Sequence, residues 1–251
     1  MLNTDLHTHT IFSDGKDSPE EMARAAFALG MKRLGFSDHS FMPHDQTWCM
    51  KAEDAEAYKH RIADLKKQYA GRMEILCGIE QDLTSGPVPE GYDYAIGSVH
   101  HVFRGARWMS VDHSPEDFQS GTAALFAGDY YALAEAYYEA VARVIEVTGA
   151  DIIGHFDLVS KFNEGNRFFD ESHPRYVAAW QKAADALLKT GKPFEINMGA
   201  IARGYRTTPY PSASILAYLK ERGATFILSS DAHQKENLCY QFGRWANYLE
   251  K

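Results

Sequence analysis

Cysteine is scarce: Cys49, Cys77 and Cys239 are the only three in 251 residues. An odd, widely spaced set makes neither a disulfide framework nor a zinc ribbon. No apolar run is long enough to cross a bilayer, and the opening Leu2-Asn3-Thr4-Asp5 has no basic segment leading into a signal-peptide core. Basic residues are also in deficit, 26 Lys and Arg against 34 Asp and Glu, which gives a formal charge of −8. That balance speaks against a general nucleic-acid or membrane-surface binder. Internal repeats, low-complexity tracts and long linkers are lacking. What is left is a globular protein, expected in a reducing cytoplasm, whose 45% apolar content suffices for a sizeable core. One domain over 1–251 is expected, since barrel folds of this length are commonly undivided.

The chain does contain seven short apolar runs, over 2–9, 33–37, 74–79, 94–99, 151–154, 193–197 and 225–229. Helical stretches separate them. The first opens at Ser18-Pro19-Glu20-Glu21, an N-cap with proline at the first helical position and glutamate at the capping-box position, and stops at Gly30. Others are predicted over 52–69, 130–148, 174–190 and 211–222, with a closing helix over 236–249. An excursion over 102–128, carrying Trp108, Asp112 and His113, is long enough to shape a site. Strands alternating with helices indicate a parallel sheet with right-handed crossovers. Seven such units suggest a closed or nearly closed barrel, with its active site at the carboxyl ends of the strands.

Metal-ligating residue types fall at those strand ends. His7 and His9, two apart on an extended strand, point to one face and form a ready pair of imidazole ligands. Asp14, Asp38-His39, Glu80, His100-His101, His155 and Asp231-Ala232-His233 follow at the ends of separate runs, and run six ends at Asn197. Chance would scatter many of these residues over solvent-facing helix surfaces.

These strings, His7-Thr8-His9, Asp14, Asp38-His39, Gly78-Ile79-Glu80, Gly97-Ser98-Val99-His100, Gly154-His155 and Ser230-Asp231-Ala232-His233, resemble the motif set of the PHP (polymerase and histidinol phosphatase) family over residues 5–233. Within it the chain is most similar to stand-alone histidinol-phosphate phosphatases. The resemblance implies a distorted seven-stranded (β/α)7 TIM-like barrel and a trinuclear centre. One ion would be held by His7, His9, Glu80 and Asp231, a second by Glu80, His100 and His155, a third by Asp14, His39 and His233. Mixed imidazole and carboxylate shells accept Zn, Mn or Fe, and a carboxylate such as Glu80 can bridge two cations.

Close metal ions suit phosphate-ester hydrolysis, because they lower the pKa of a bound water and clamp the phosphoryl oxygens. The expected nucleophile is a metal-bridging hydroxide, with Asp231 or His233 moving protons. Arg203, after run six, is expected to present its planar fork to the phosphate. Lys161 and Arg167, after run five, are further candidate cations, and His101 a candidate substrate contact. The implied reaction is hydrolysis of L-histidinol phosphate in histidine biosynthesis, with a small phosphorylated molecule as partner rather than nucleic acid or membrane. Three alternatives are weaker: a phosphoesterase of the same family acting on another small ester, a non-catalytic polymerase-associated module, and a zinc amidohydrolase. The ligand positions are complete, no polymerase sequence accompanies them, and Glu80 stands where an amidohydrolase would carry its bridging group.

Overall fold

The computed structural model describes residues 2–249, so Met1, Glu250 and Lys251, at the edges of the expected 1–251 domain, lie outside the described residues. Seven parallel strands run in the order β1 (Thr4–Asp5), β2 (Arg33–Phe36), β3 (Glu74–Asp82), β4 (Tyr94–Ser98), β7 (Ile152–Ile153), β8 (Phe194–Asn197) and β9 (Phe226–Ser229). Between β4 and β7 the chain forms an antiparallel hairpin, β5 (His101–Arg104) and β6 (Arg107–Ser110). The helices are α1 (Pro19–Ala28), α2 (Ala55–Tyr69), α3 (Pro115–Phe126), α4 (Tyr130–Val141), α5 (Val144–Thr148), α6 (Pro174–Leu188), α7 (Gly199–Ala202), α8 (Ala213–Glu221) and α9 (Phe242–Trp245). None is long and apolar enough to cross a membrane.

The first and last strands meet just beyond their regular ends. Thr8 bridges Ala232 in parallel register, with His9 N donating to Ala232 O at 2.9 Å and Ala232 N to His7 O at 3.2 Å. The buried Asp5 carboxylate pins this seam by accepting from Ser230 N at 3.2 Å and Cys239 N at 3.0 Å. The barrel is thereby nearly closed.

Strand alternation sorts side chains between helices and interior. On β3, Ile75, Cys77 and Ile79 pack into the outer core with the helices, while Leu76 joins the small inner cluster of Tyr94, Ile96 and Ile152. Tyr94 lies across the interior and donates to Leu6 O and Phe36 O. Its ring occupies the space a side chain at residue 78 would need: a Cβ there would lie 2.3 Å from Tyr94 Cζ, so glycine is required. Above this floor the inward positions become polar.

The helix expected over 130–148 is divided into α4 and α5, the strand expected over 2–9 is regular only at Thr4–Asp5, and two further stretches differ from the sequence expectation. The helix predicted over 236–249 is reduced to α9 flanked by 3-10 turns, because Cys239 and Gln241 both adopt left-handed φ of 53°. Cys239 N is tied to Asp5, and that tether overrides local helix preference. The excursion over 102–128 folds as the β5–β6 hairpin and α3, whose junction delivers Ser110, Asp112 and His113 to the mouth of the barrel.

Candidate metal centre

Glu80 is the hub. It lies inside β3, which continues to Asp82, and its carboxylate is buried among five imidazoles. Oε2 lies 3.3 Å from His7 Nε2, 3.6 Å from His9 Nε2 and 2.7 Å from His39 Nδ1. Oε1 lies 3.5 Å from His100 Nε2 and 2.8 Å from His155 Nε2. Asp231 Oδ1 completes the inner group, 3.3 Å from His9 Nε2 and 3.8 Å from His7 Nε2. Towards solvent, Asp14 reaches His233 Nε2 at 3.1 Å and His39 Nε2 at 3.6 Å. The His9 ring is sandwiched between those of His39 and His233, with centroids 4.2 Å away on either side.

Ligand atoms converge within 4.8 Å in three groups: His7, His9 and Glu80; His39, Glu80 and His100; and His9, Asp14, His39 and His233. This grouping departs from the one implied by resemblance in three respects, the first being that Asp231 falls in none of the groups. His9 also stands with the outer residues, and His39 rather than His155 completes the set around Glu80 and His100. His155 approaches the same Glu80 oxygen from another side.

The residues that orient these ligands carry no motif. Glu195 Oε1 lies 2.6 Å from His7 Nδ1, and Oε2 accepts from His155 N at 3.0 Å. Asp82 Oδ2 lies 3.0 Å from His100 Nδ1. A carboxylate on the back nitrogen fixes the tautomer that leaves Nε2 free for a cation. Asp38, expected beside His39 as a strand-end residue, instead accepts from Thr10 N at 2.8 Å, Thr10 Oγ1 at 2.9 Å and Ser13 Oγ at 2.6 Å, and so shapes the turn that carries Asp14. A signal for Glu195 does exist: in Phe194-Glu195-Ile196-Asn197, Phe194 and Ile196 pack into separate hydrophobic clusters, which leaves the acid on the inner face.

Buried imidazoles and carboxylates here pull one another away from their ordinary ranges. Burial disfavours a charged His7, but Glu195, Glu80 and Asp231 outweigh it and raise the imidazole well above its ordinary range. Burial and the neighbouring His233 and His39 push His9 down to about 3. Glu80 is held well below the carboxylate range by His39, His7 and His100, against the effect of burial. His7 Nε2, both nitrogens of His9 and Glu80 Oε2 are buried with no aligned hydrogen-bond partner. Buried polar atoms are rarely orphaned. Lone pairs that converge on shared points instead of on donors are the pattern a divalent cation satisfies, by displacing protons from the ligands. The residues therefore fit metal ions. Chelation is expected to lower Tm by about 5–10 °C, with recovery on reloading. Identical melting of chelated and reloaded protein would contradict a metal centre.

A cavity of about 400 Å³ opens over the cluster. Arg203 lines it, its side chain about a quarter exposed, with Nη2 donating to Asp231 Oδ2 at 2.9 Å and Nη1 to Asp231 O at 3.0 Å. Asp231 sits at φ 51°, in the left-handed region that non-glycine residues adopt uncommonly. Gly199 permits the approach, because a Cβ there would fall 2.3 Å from Asp231 Oδ2. Asp231 is a proton-transfer candidate from the sequence; here one of its oxygens faces the histidines and the other is held by Arg203. Lys161 also lines the cavity, its Nζ donating to Asp112 O at 2.7 Å.

The other two candidates lie elsewhere. Arg167 is exposed, with its guanidinium 4.9 Å from the Phe168 ring centre, and does not line the cavity because the 3-10 turn at Glu164–Asn166 carries it outward. His101 is buried against His44, Trp48 and Trp108, with Nε2 3.4 Å from Asp45 Oδ2, and does not line it either. Its place at the start of β5, one residue after His100, turns its ring away from the centre.

Comparison with known proteins gives a consistent result. The PHP domain family model matches residues 5–199. A Deinococcus radiodurans protein named "Probable histidinol-phosphatase" is 30% identical over 95% of this chain and 89% of its own length. The histidinol-phosphatase of Bacillus subtilis is 25% identical over 96% and 97%. Among solved structures, the "putative histidinol phosphatase hisK" of Listeria monocytogenes superposes with TM-score 0.84 at 22% identity, covering 96% of this chain and 99% of that one. The histidinol phosphate phosphatase of Lactococcus lactis, solved with Zn, L-histidinol and phosphate, gives TM-score 0.64 at 18% identity, covering 99% and 93%.

Proposed function

The chain belongs to the PHP domain family, and from that premise we propose that it is a metal-dependent histidinol-phosphatase, hydrolysing L-histidinol phosphate to L-histidinol and inorganic phosphate. The observation that carries the chemistry is the set of buried, unpartnered imidazole and carboxylate atoms facing a cavity edged by two cations. We read His7, His9, Glu80 and Asp231, with His39, His100, His155, Asp14 and His233, as holding three divalent ions of the Zn, Mn or Fe type. When bound, such ions supply an activated water as nucleophile and positive charge against the phosphoryl oxygens.

The chain's own groups do the remaining work. Arg203, already oriented by Asp231, turns its guanidinium to the phosphoryl oxygens, and Lys161 adds a second cation. Asp231, held anionic by Arg203 and His7 against the effect of burial, keeps both oxygens engaged. The leaving alkoxide then takes its proton from solvent entering the open mouth. We read 1–251 as one domain, since β9, Asp231 and His233 all come from beyond the matched segment yet complete the barrel. Three unpaired cysteines and a biosynthetic reaction support a cytoplasmic location.

The test is steady-state hydrolysis of L-histidinol phosphate beside a panel of mono- and diesters, with enzyme loaded separately with Zn, Mn and Fe. A strong preference for histidinol phosphate in kcat/KM is expected. Flat activity across the panel would sink the substrate while keeping the hydrolytic chemistry.

A further inference from the structure

We infer that Arg206 is a positioning residue: it ties the segment after β7, which carries Lys161, to the segment after β8, which carries Arg203, and so sets the two cations as a fixed pair for phosphate; the inference rests on the phosphatase reading above. The barrel ladder does little to align these segments. β7 pairs with β8 at one register position, Ile153 opposite Phe194, whereas β3 and β4 pair over five. Side chains from the two loops supply the rest.

Arg206 does not line the cavity that Arg203 and Lys161 line. Its side chain is only 5% exposed, and Nη1 donates to Ser160 O at 3.2 Å and also to Ser160 Oγ. Ser160 closes the 3-10 turn Leu158–Ser160, and Lys161 is the next residue. At the other end, Arg206 N and Tyr205 N donate to Ala200 O at 3.3 and 2.9 Å, inside α7, where Arg203 N donates to Gly199 O at 3.0 Å. One side chain therefore runs from the turn that carries Arg203 to the carbonyl immediately before Lys161.

Neighbouring contacts follow the same line. Lys161 Nζ lies 5.0 Å from the Tyr205 ring centre, and the Phe162 ring meets Tyr205 edge-on at 5.4 Å. Thr207 Oγ1 donates to Glu164 Oε1 at 2.5 Å, but that pair is exposed, where a hydrogen bond adds little. The Arg206 bonds are buried, where charge-assisted bonds are strongest. Burial disfavours the guanidinium charge, yet Asp157 outweighs it, so Arg206 stays protonated. Two cations grip one phosphate only while their segments keep register, and a shift of about 1 Å is costly. Loss of Arg206 is therefore felt through Lys161.

The experiment is a double-mutant cycle on metal-loaded protein: wild type, R206M, K161M and the double variant. The Kd of inorganic phosphate is read by calorimetry, with kcat/KM on L-histidinol phosphate, metal content and Tm alongside. R206M should weaken phosphate about 5- to 20-fold in the wild-type background and less than about twofold beside K161M, with metal content unchanged. S160A, which changes no charge, removes one of the two acceptors and should cost about threefold in the same Lys161-dependent pattern; it carries the test if R206M does not fold. Equal losses in both backgrounds would overturn the inference and leave Arg206 a support of the fold or a distant charge. Phosphate affinity untouched by R206M would overturn it too. The expected cycle in a protein that hydrolyses no phosphate ester would support Arg206 and refute the phosphatase reading instead.

Discussion

Glu80→Gln should abolish turnover, with kcat/KM down by about a thousandfold or more. Five imidazoles converge on this one carboxylate, at 2.7 to 3.6 Å, and its two oxygens face different subsets of them. An amide of the same shape has one acceptor and one donor, so it removes the negative charge and turns an N–H towards nitrogens that must offer lone pairs. The variant is therefore expected to bind fewer equivalents of metal by elemental analysis and to show a smaller rise in Tm on metal loading. Full metal content together with lost activity would shift Glu80 from ligand to a role in the reaction itself. Unchanged activity would remove the cluster from the mechanism.

Replacing Arg203 tests the other half of the site. R203K keeps the charge but loses the planar fork, which reaches Asp231 Oδ2 at 2.9 Å through one nitrogen and Asp231 O at 3.0 Å through the other. Charge-assisted bonds of this kind are worth about 1.5–3 kcal/mol each, so kcat/KM should fall about 10- to 100-fold. R203A should lose at least as much and also release Asp231 from its left-handed conformation. Both variants should bind inorganic phosphate more weakly, read as a raised inhibition constant. A normal inhibition constant with lowered kcat would make Arg203 a clamp for Asp231 with no contact to phosphate.

Periodicity and punctuation in the chain were enough to determine the alternation of seven strands with helices, and with it a barrel whose carboxyl ends carry His7, His9, Glu80, His100, His155, Asp231 and His233. That much is local: a strand's period of two and a helix's caps are written in consecutive residues. The pairing of Glu195 with His7, 188 residues apart, was not, nor was the tautomer it sets. The same holds for the loss of the closing helix to a tether between Cys239 and Asp5, and for the removal of Arg167 and His101 from the cavity. Lys161 next to Asp112, and Arg203 folded over Asp231, likewise depend on loops from different strands meeting at one rim. Sequence spacing says which residues share a strand face; only closure of the barrel, which brings Thr8 against Ala232 and the ends of all seven strands together, decides which side chains share a hydrogen bond or an ion.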